Sequence, residues 1–158
     1  MSLPNLIIRS AYDSDAQDLQ RVFEAAVIIG CRAHYNELQL QAWVSMAQQR
    51  RNWRDMVEND QVWVALCDGS MVGFIVLQNQ GYIDMLFVHP EIQGRGIARQ
   101  LYATAEQFAL RRGDGRLHVQ ASISAQPFFT KQGFAVINDQ LVQVFDQQLR
   151  NFVMEKYP

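Results

Sequence analysis

Ile83-Asp84-Met85-Leu86-Phe87-Val88-His89-Pro90 and the loop after it, Gln93-Gly94-Arg95-Gly96-Ile97-Ala98, decide the fold of this chain. The first stretch is an apolar strand that Pro90 ends, since proline has no N–H to give to a ladder. The second opens a helical run to about Arg112. In it Ile97, Leu101, Ala105 and Phe108 share one stripe, while Arg99, Gln100, Glu106 and Gln107 lie off it. A glycine-bearing loop between a strand and a helix N-terminus aims backbone N–H groups at an anion, and the helix dipole favours negative charge there.

Upstream, residues 62–67 and 72–77 read as strands joined by an Asp68-Gly69 hairpin turn. Residues 79–81 turn the chain into the third strand, 82–88. These strands are apolar on both faces, which predicts cover on both sides of the sheet. Residues 6–9 read as a first strand. Asp13 to Asp15 supply helix-start chemistry, with Ser14-x-x-Gln17 as a capping box. Leu19, Val22, Phe23, Ala26, Val27 and Gly30 then recur at helical spacing. Residues 35–46 and 53–58 read as shorter helices. Downstream, residues 113–115 end the long helix. Leu117, Val119 and Ala121 alternate along a strand, and residues 124–132 form a short helix. Gly133-Phe134 turns into another strand, and residues 142–153 are the last. The class is mixed α/β, with only some crossovers parallel.

Length and composition set bounds. The 158 residues, 49% hydrophobic and 19% charged, predict one globular domain over residues 1–158. A formal net charge of −2 argues against a general nucleic-acid binder, which carries a basic excess. Cys31 and Cys67 lack metal-ligand spacing and read as buried thiols in a reducing compartment; no metal is expected. Met1-Ser2-Leu3-Pro4-Asn5 does not read as a signal peptide, and no apolar run reaches membrane-spanning length. The expected location is cytoplasmic.

Three phosphate-binding readings compete for the glycine loop. A P-loop requires a Lys after the glycines, and none is present. A dinucleotide fingerprint requires a third glycine where Arg99 stands, directly after the first strand of a βαβ unit. The third reading fits. Gln93-Gly94-Arg95-Gly96-Ile97-Ala98 resembles the [RQ]-x-x-G-x-[GA] signature of the GNAT family, the Gcn5-related N-acetyltransferases. The strand ending at Val88-x-Pro90 resembles that family's central strand. Arg9-Ser10-Ala11 with Asp15 and Leu19 resembles its N-terminal pattern. Ala125-x-Pro127-Phe128-Phe129-x-x-x-Gly133-Phe134 resembles its late segment, and Leu149-x-Asn151-Phe152-x-Met154 the ending of a bacterial subgroup.

The resemblance implies the GNAT fold, a mostly antiparallel central sheet flanked by helices, with acetyl-CoA as donor. Backbone groups of Gln93, Gly94, Arg95, Gly96, Ile97 and Ala98 would cradle the coenzyme A pyrophosphate. Gly94 and Gly96 permit close approach, and Arg95 and Arg99 add charge. Pantetheine would pair like an extra strand beside Leu86, Phe87 and Val88. Phe128 and Ser122 fall at cofactor-contacting positions; Ser122 equally reads as a cap of the next helix. Phe129 stands where the family often has a tyrosine that protonates the departing thiolate, so a hydroxyl is missing there. A coenzyme A thiol with a pKa of about 8.5 still leaves tolerably.

The acceptor amine would attack the thioester directly. Neutralising a lysine-like amine of pKa about 10.4 at pH 7 costs roughly 4–5 kcal/mol, so a proton acceptor is required. Asp84 interrupts an apolar strand and is the first candidate for base or amine anchor. Its other reading is a carboxylate satisfied by an arginine. Tyr82 stands where the family often has a Glu, and His118 on the next strand has a suitable range. An N–H near Val88 would stabilise the oxyanion. Acceptor candidates are His34, Tyr35, Glu37, Gln39 and Trp43. The expected acceptor is a small-molecule or peptide amine, with a homodimer as the assembly considered. The competing function is an acyl-CoA-binding module without turnover, which the absent hydroxyl at Phe129 keeps open.

Overall fold

The computed structural model describes residues 5–158. Residues 1–4, most of the segment read above as lacking a signal peptide, lie outside the described residues. Seven strands form one sheet: β1 (Leu6–Ser10), β2 (Gln61–Cys67), β3 (Ser70–Leu77), β4 (Tyr82–Val88), β5 (Leu117–Ser122), β6 (Ala135–Val144) and β7 (Gln147–Lys156). Their order is β1-β2-β3-β4-β5-β7-β6. Neighbours are antiparallel except β4 and β5. The mixed, mostly antiparallel sheet is the one expected.

Helices cover both faces, as the doubly apolar strands require. Helices α1 (Ala16–Ile28), α2 (Glu37–Arg50) and α3 (Trp53–Asn59) pack on one face. Helices α4 (Ile97–Arg112) and α5 (Gln126–Lys131) pack on the other. The central strands alternate between the two cores. Val62, Val64, Phe74 and Val76 enter the first, and Trp63, Ala65, Ile75 and Leu77 the second. No helix among the described residues is long and apolar enough to cross a membrane.

Two elements differ from expectation. Residues 142–153 are not one strand: they straddle the tip of a hairpin, β6 and β7, that turns at residues 145–146. Phe145 takes the left-handed conformation there, φ 53°, and no Gly or Asn advertises the turn. The N-cap of α1 is Asp15, and the Ser14–Gln17 box does not form. The Asp15 carboxylate, 7% exposed, instead accepts Arg9 Nη1 at 2.7 Å and Nη2 at 3.2 Å, and Tyr12 N–H at 2.7 Å.

Arg9 holds the Asp15 carboxyl below its ordinary range; burial opposes this and the Tyr12 N–H assists. A depressed acid contributes stability that is fully present above its unfolded value, near 3.9, and is lost as pH falls through the folded value. Asp15→Asn is therefore expected to cost about 2 kcal/mol at pH 7. Urea melts at pH 7 and pH 3 should show the gap to the parent protein narrowing at the lower pH. An equal gap would assign the loss to packing.

The one parallel contact among the described residues is short, and it shapes the molecule. β4 and β5 pair at Tyr82↔His118 and Ile83↔Val119 and then diverge. Gly81, φ 74°, starts this seam: a Cβ there would lie 1.8 Å from the Arg116 carbonyl oxygen. Gly81→Ala must push β5 away and adopt a left-handed conformation, at a combined cost of about 3 kcal/mol. A fall in Tm of under 2 °C would show that the seam yields.

Candidate active site

The divergence of β4 and β5 exposes one backbone edge of β4. His89 N–H bonds to Val72 O, and β3 and β4 pair at Gly73↔Val88 and Phe74↔Phe87. Antiparallel alternation then aims the backbone groups of Leu86 and Val88 at the opposite, open edge. The Gln93 side chain confirms that direction by donating to Val88 O at 3.3 Å.

The glycine loop sits at the end of this edge. Gly94 and Gly96 have φ of 78° and 81°. Gly96 is the N-cap of α4 and no side chain caps that helix, so its first-turn N–H groups lack intrahelical partners. Space around Gly94 is open, with nothing within 4 Å of where a Cβ would sit. Free N–H groups, approachable glycines and the exposed Arg95 and Arg99 fit a pyrophosphate. A groove of about 1170 Å³ runs from this loop along Leu86 and Val88 to Phe128 and Phe129. Its length and open strand edge fit a pantetheine arm.

A second cavity, about 220 Å³, opens in the same divergence and shares Leu86, Ala125 and Phe129 with the groove. Tyr82, Asp84, Tyr35, Trp43 and Ser122 line it. A third space of about 570 Å³ adjoins it, sharing Phe23, Trp43, Arg51, Met85 and Val144. The groove and the second cavity thus meet at Leu86, Ala125 and Phe129, and an outer vestibule continues past Arg51.

Asp84 owes its position to a β-bulge. Leu77 pairs with Ile83 and Val76 with Met85, which leaves Asp84 as the extra residue. The bulge changes parity: Ile83 belongs to one core and Met85 to the other. Asp84 is not a free carboxylate. Arg51, at the break between α2 and α3, grips it with both terminal nitrogens: Nη1–Oδ2 2.5 Å and Nη2–Oδ1 3.1 Å. The Asp84 side chain is 10% exposed and that of Arg51 33%. Arg51 was not among the residues singled out above. A lone acid in an apolar strand signals a cationic partner, but nothing local points 33 positions upstream.

The remaining candidates separate. Phe87 turns away from the groove into an aromatic cluster, 5.1 Å from Phe23 and 6.1 Å from Trp43 between ring centroids. Ser122 Oγ accepts from Ala125 N–H at 3.0 Å, a local turn bond; it does not cap α5, whose N-cap is Ala125 with no side-chain cap, and it lines the second cavity. Burial, and then Asp84, push the Tyr82 phenol up, so it stays protonated. His118 lies against Tyr82, ring centroids 5.0 Å apart, outside the cavity lining. Its pKa is lowered by burial and then by Arg116, which favours the neutral ring.

Tyr35 donates to Arg150 O at 2.5 Å and accepts from Ile123 N–H at 2.9 Å, tying the segment before α2 to β7 and to the end of β5. Glu37 is exposed and accepts from Gln41. Gln39 completes a capping box with Asn36 at the start of α2. His34 is exposed but meets Ser124 Oγ at 2.9 Å, and Ser124 lines the large groove. Cys31 is buried and Cys67 half-buried. No cluster of metal-ligating side chains occurs among the described residues.

Residues 31–157 match the acetyltransferase (GNAT) domain family. The chain is 36% identical over 154 residues to an uncharacterized N-acetyltransferase, YafP, of Escherichia coli, covering 98% of this chain and 97% of that one. A crystal structure of a GCN5-related N-acetyltransferase from Rhodopseudomonas palustris superposes with a TM-score of 0.93 at 30% identity, covering 100% of this chain and 99% of that one. PaiA N-acetyltransferase from Thermoplasma acidophilum, solved with coenzyme A, shares the fold at TM-score 0.82 and 19% identity over 98% and 99% of the two chains.

Proposed function

From the premise that this chain belongs to the GNAT acetyltransferase family, we propose that it moves an acetyl group from acetyl-CoA to a primary amine of a small molecule or peptide end. The observation that carries this reading is the meeting of the donor groove and the acceptor cavity at Leu86 and Phe129, on the open edge of β4. A phosphate site alone would suit many ligands. A phosphate site joined by an unpaired strand edge to a small second chamber suits a donor with a long amide-bearing arm.

The chain's own groups supply the rest. First-turn N–H groups of α4 hold the pyrophosphate, with Arg95 and Arg99 at the mouth. Leu86 and Val88 offer backbone hydrogen bonds to the arm. The Val88 N–H, on the open edge, stabilises the oxyanion as the amine attacks. Asp84 anchors the amine and receives its proton. The thiolate leaves without a tyrosine hydroxyl, since Phe129 is buried among Phe128, Phe134 and Tyr102.

Thiol release from acetyl-CoA, followed with a thiol reagent across a panel of primary amines, tests the reading. Amine-dependent release is expected, with the N-acetyl product visible by mass spectrometry. Binding of acetyl-CoA without release above hydrolysis for every amine would leave only a binding module.

A further inference from the structure

We propose that the acceptor is a small zwitterion, a primary amine with a carboxylate or phosphonate a few bonds away, which exchanges partners with the Arg51–Asp84 pair; this rests on the acetyltransferase reading above. Arg51 stands on the shared wall of the acceptor cavity and the vestibule. An amine that reaches Asp84 competes with its guanidinium. Each carboxylate oxygen already accepts from Arg51, and the Asp84 side chain is nearly buried.

A simple monocation would take Asp84 from Arg51 and strip a two-thirds-buried guanidinium of the anion it grips, with Asp55 and Asp60 on the vestibule wall as the carboxylates left to meet it. A zwitterion leaves nothing unpaired. Its ammonium takes Asp84, and its acid takes the planar fork of Arg51, which suits a carboxylate or phosphonate bidentately. The charged side chains lining the two chambers also come in both signs. Arg50, Asp55 and Asp60 line the vestibule, and Asp84 and Arg150 the inner cavity. Arg150 is committed to Asp139 at 2.5 Å, so its charge is already met. Trp43 and Phe23, on the wall common to both chambers, favour an apolar side chain on the acceptor.

The exchange also prepares the chemistry. While Arg51 holds it, both oxygens of Asp84 face the guanidinium. Once the guanidinium turns to the acceptor's acid, Asp84 takes a proton from the ammonium. The amine nitrogen then forms a bond to the thioester carbonyl carbon. The C–S bond breaks and the electron pair leaves with sulfur. The second proton lost by nitrogen ends on the thiolate or in solvent. The acceptor's own acid group thereby releases the base that activates its amine.

Matched acceptors test this: L-phenylalanine against phenethylamine, L-leucine against 3-methylbutylamine, and 1-amino-2-phenylethylphosphonate as the tetrahedral acid. With the unaltered protein, kcat/KM for at least one acid-bearing member should exceed that of its acid-free partner by about 30-fold or more. Arg51→Gln should reduce that ratio to within about threefold, chiefly through KM for the acid-bearing acceptor. Arg51→Lys, which keeps the charge and loses the fork, should fall between. In parallel, melting with saturating coenzyme A should rise with the acid-bearing compound and not with its partner, a readout independent of turnover. Equal or better use of the acid-free amines, or a ratio untouched in folded Arg51→Gln, overturns the zwitterion and leaves the acetyltransferase reading standing. No thiol release with any member of either set, and no melting shift, rejects the zwitterion; the acetyltransferase reading falls with it when the wider panel of primary amines is silent too.

Discussion

Gly96→Glu is expected to weaken acetyl-CoA binding by at least about 100-fold, a loss of about 2.7 kcal/mol. Two effects add. Position 96 is left-handed, φ 81°, where any L-residue with a Cβ costs roughly 1–2 kcal/mol. The new carboxylate would also lie beside the uncapped N-terminus of α4, with Arg99 Nη2 only 3.8 Å from the Cβ position. An internal anion would thus occupy the N–H groups and the guanidinium that a pyrophosphate requires. Titration calorimetry with acetyl-CoA checks the result, and Gly96→Ala separates the causes because it carries the backbone strain alone. Unweakened binding in a folded Glu variant would remove the phosphate from this loop.

Asp84→Asn is expected to lower kcat/KM for amine acetylation by about 100-fold or more, the scale of a positioned proton acceptor. It should also alter the shape of the pH–rate profile, because an amide cannot take a proton from the ammonium. The folded state should lose about 2 kcal/mol, since Arg51 keeps its charge and loses its partner while remaining one-third open to water. Rates with saturating acetyl-CoA across pH 6–9, alongside circular dichroism melts, separate the two losses. A destabilised variant with an unchanged rate and profile would return Asp84 to a structural role.

Much of the sheet was legible because its signals are local. Asp68-Gly69 and residues 79–81 mark the turns of the β2–β4 meander, and the stripe Ile97, Leu101, Ala105 marks α4. The glycine loop with its open N–H groups was legible for the same reason, a pair of glycines adjoining a helix start. The hairpin of β6 and β7 was not, because Phe145 adopts a positive φ that its residue type gives no reason to expect. Within the site, Leu86 and Val88 face the groove while Phe87 faces an aromatic core, a split that follows from strand parity. The grip of Arg51 on Asp84 depends on a bulge and on a contact across 33 positions. Charge in an apolar strand announced that a partner exists, and only the folded chain identifies it.

The seam between β4 and β5 has a last consequence. A sheet held along one line by two residue pairs is, mechanically, two plates on a short pin. Any ligand that lays backbone-like amides along the open edge of β4 acts as a strut across the gap. It binds the native arrangement and not the unfolded chain, so its free concentration adds to folding stability by mass action. Resistance to heat, and the protection of β4 and β5 amides from exchange, should therefore rise together as acetyl-CoA is added to the protein.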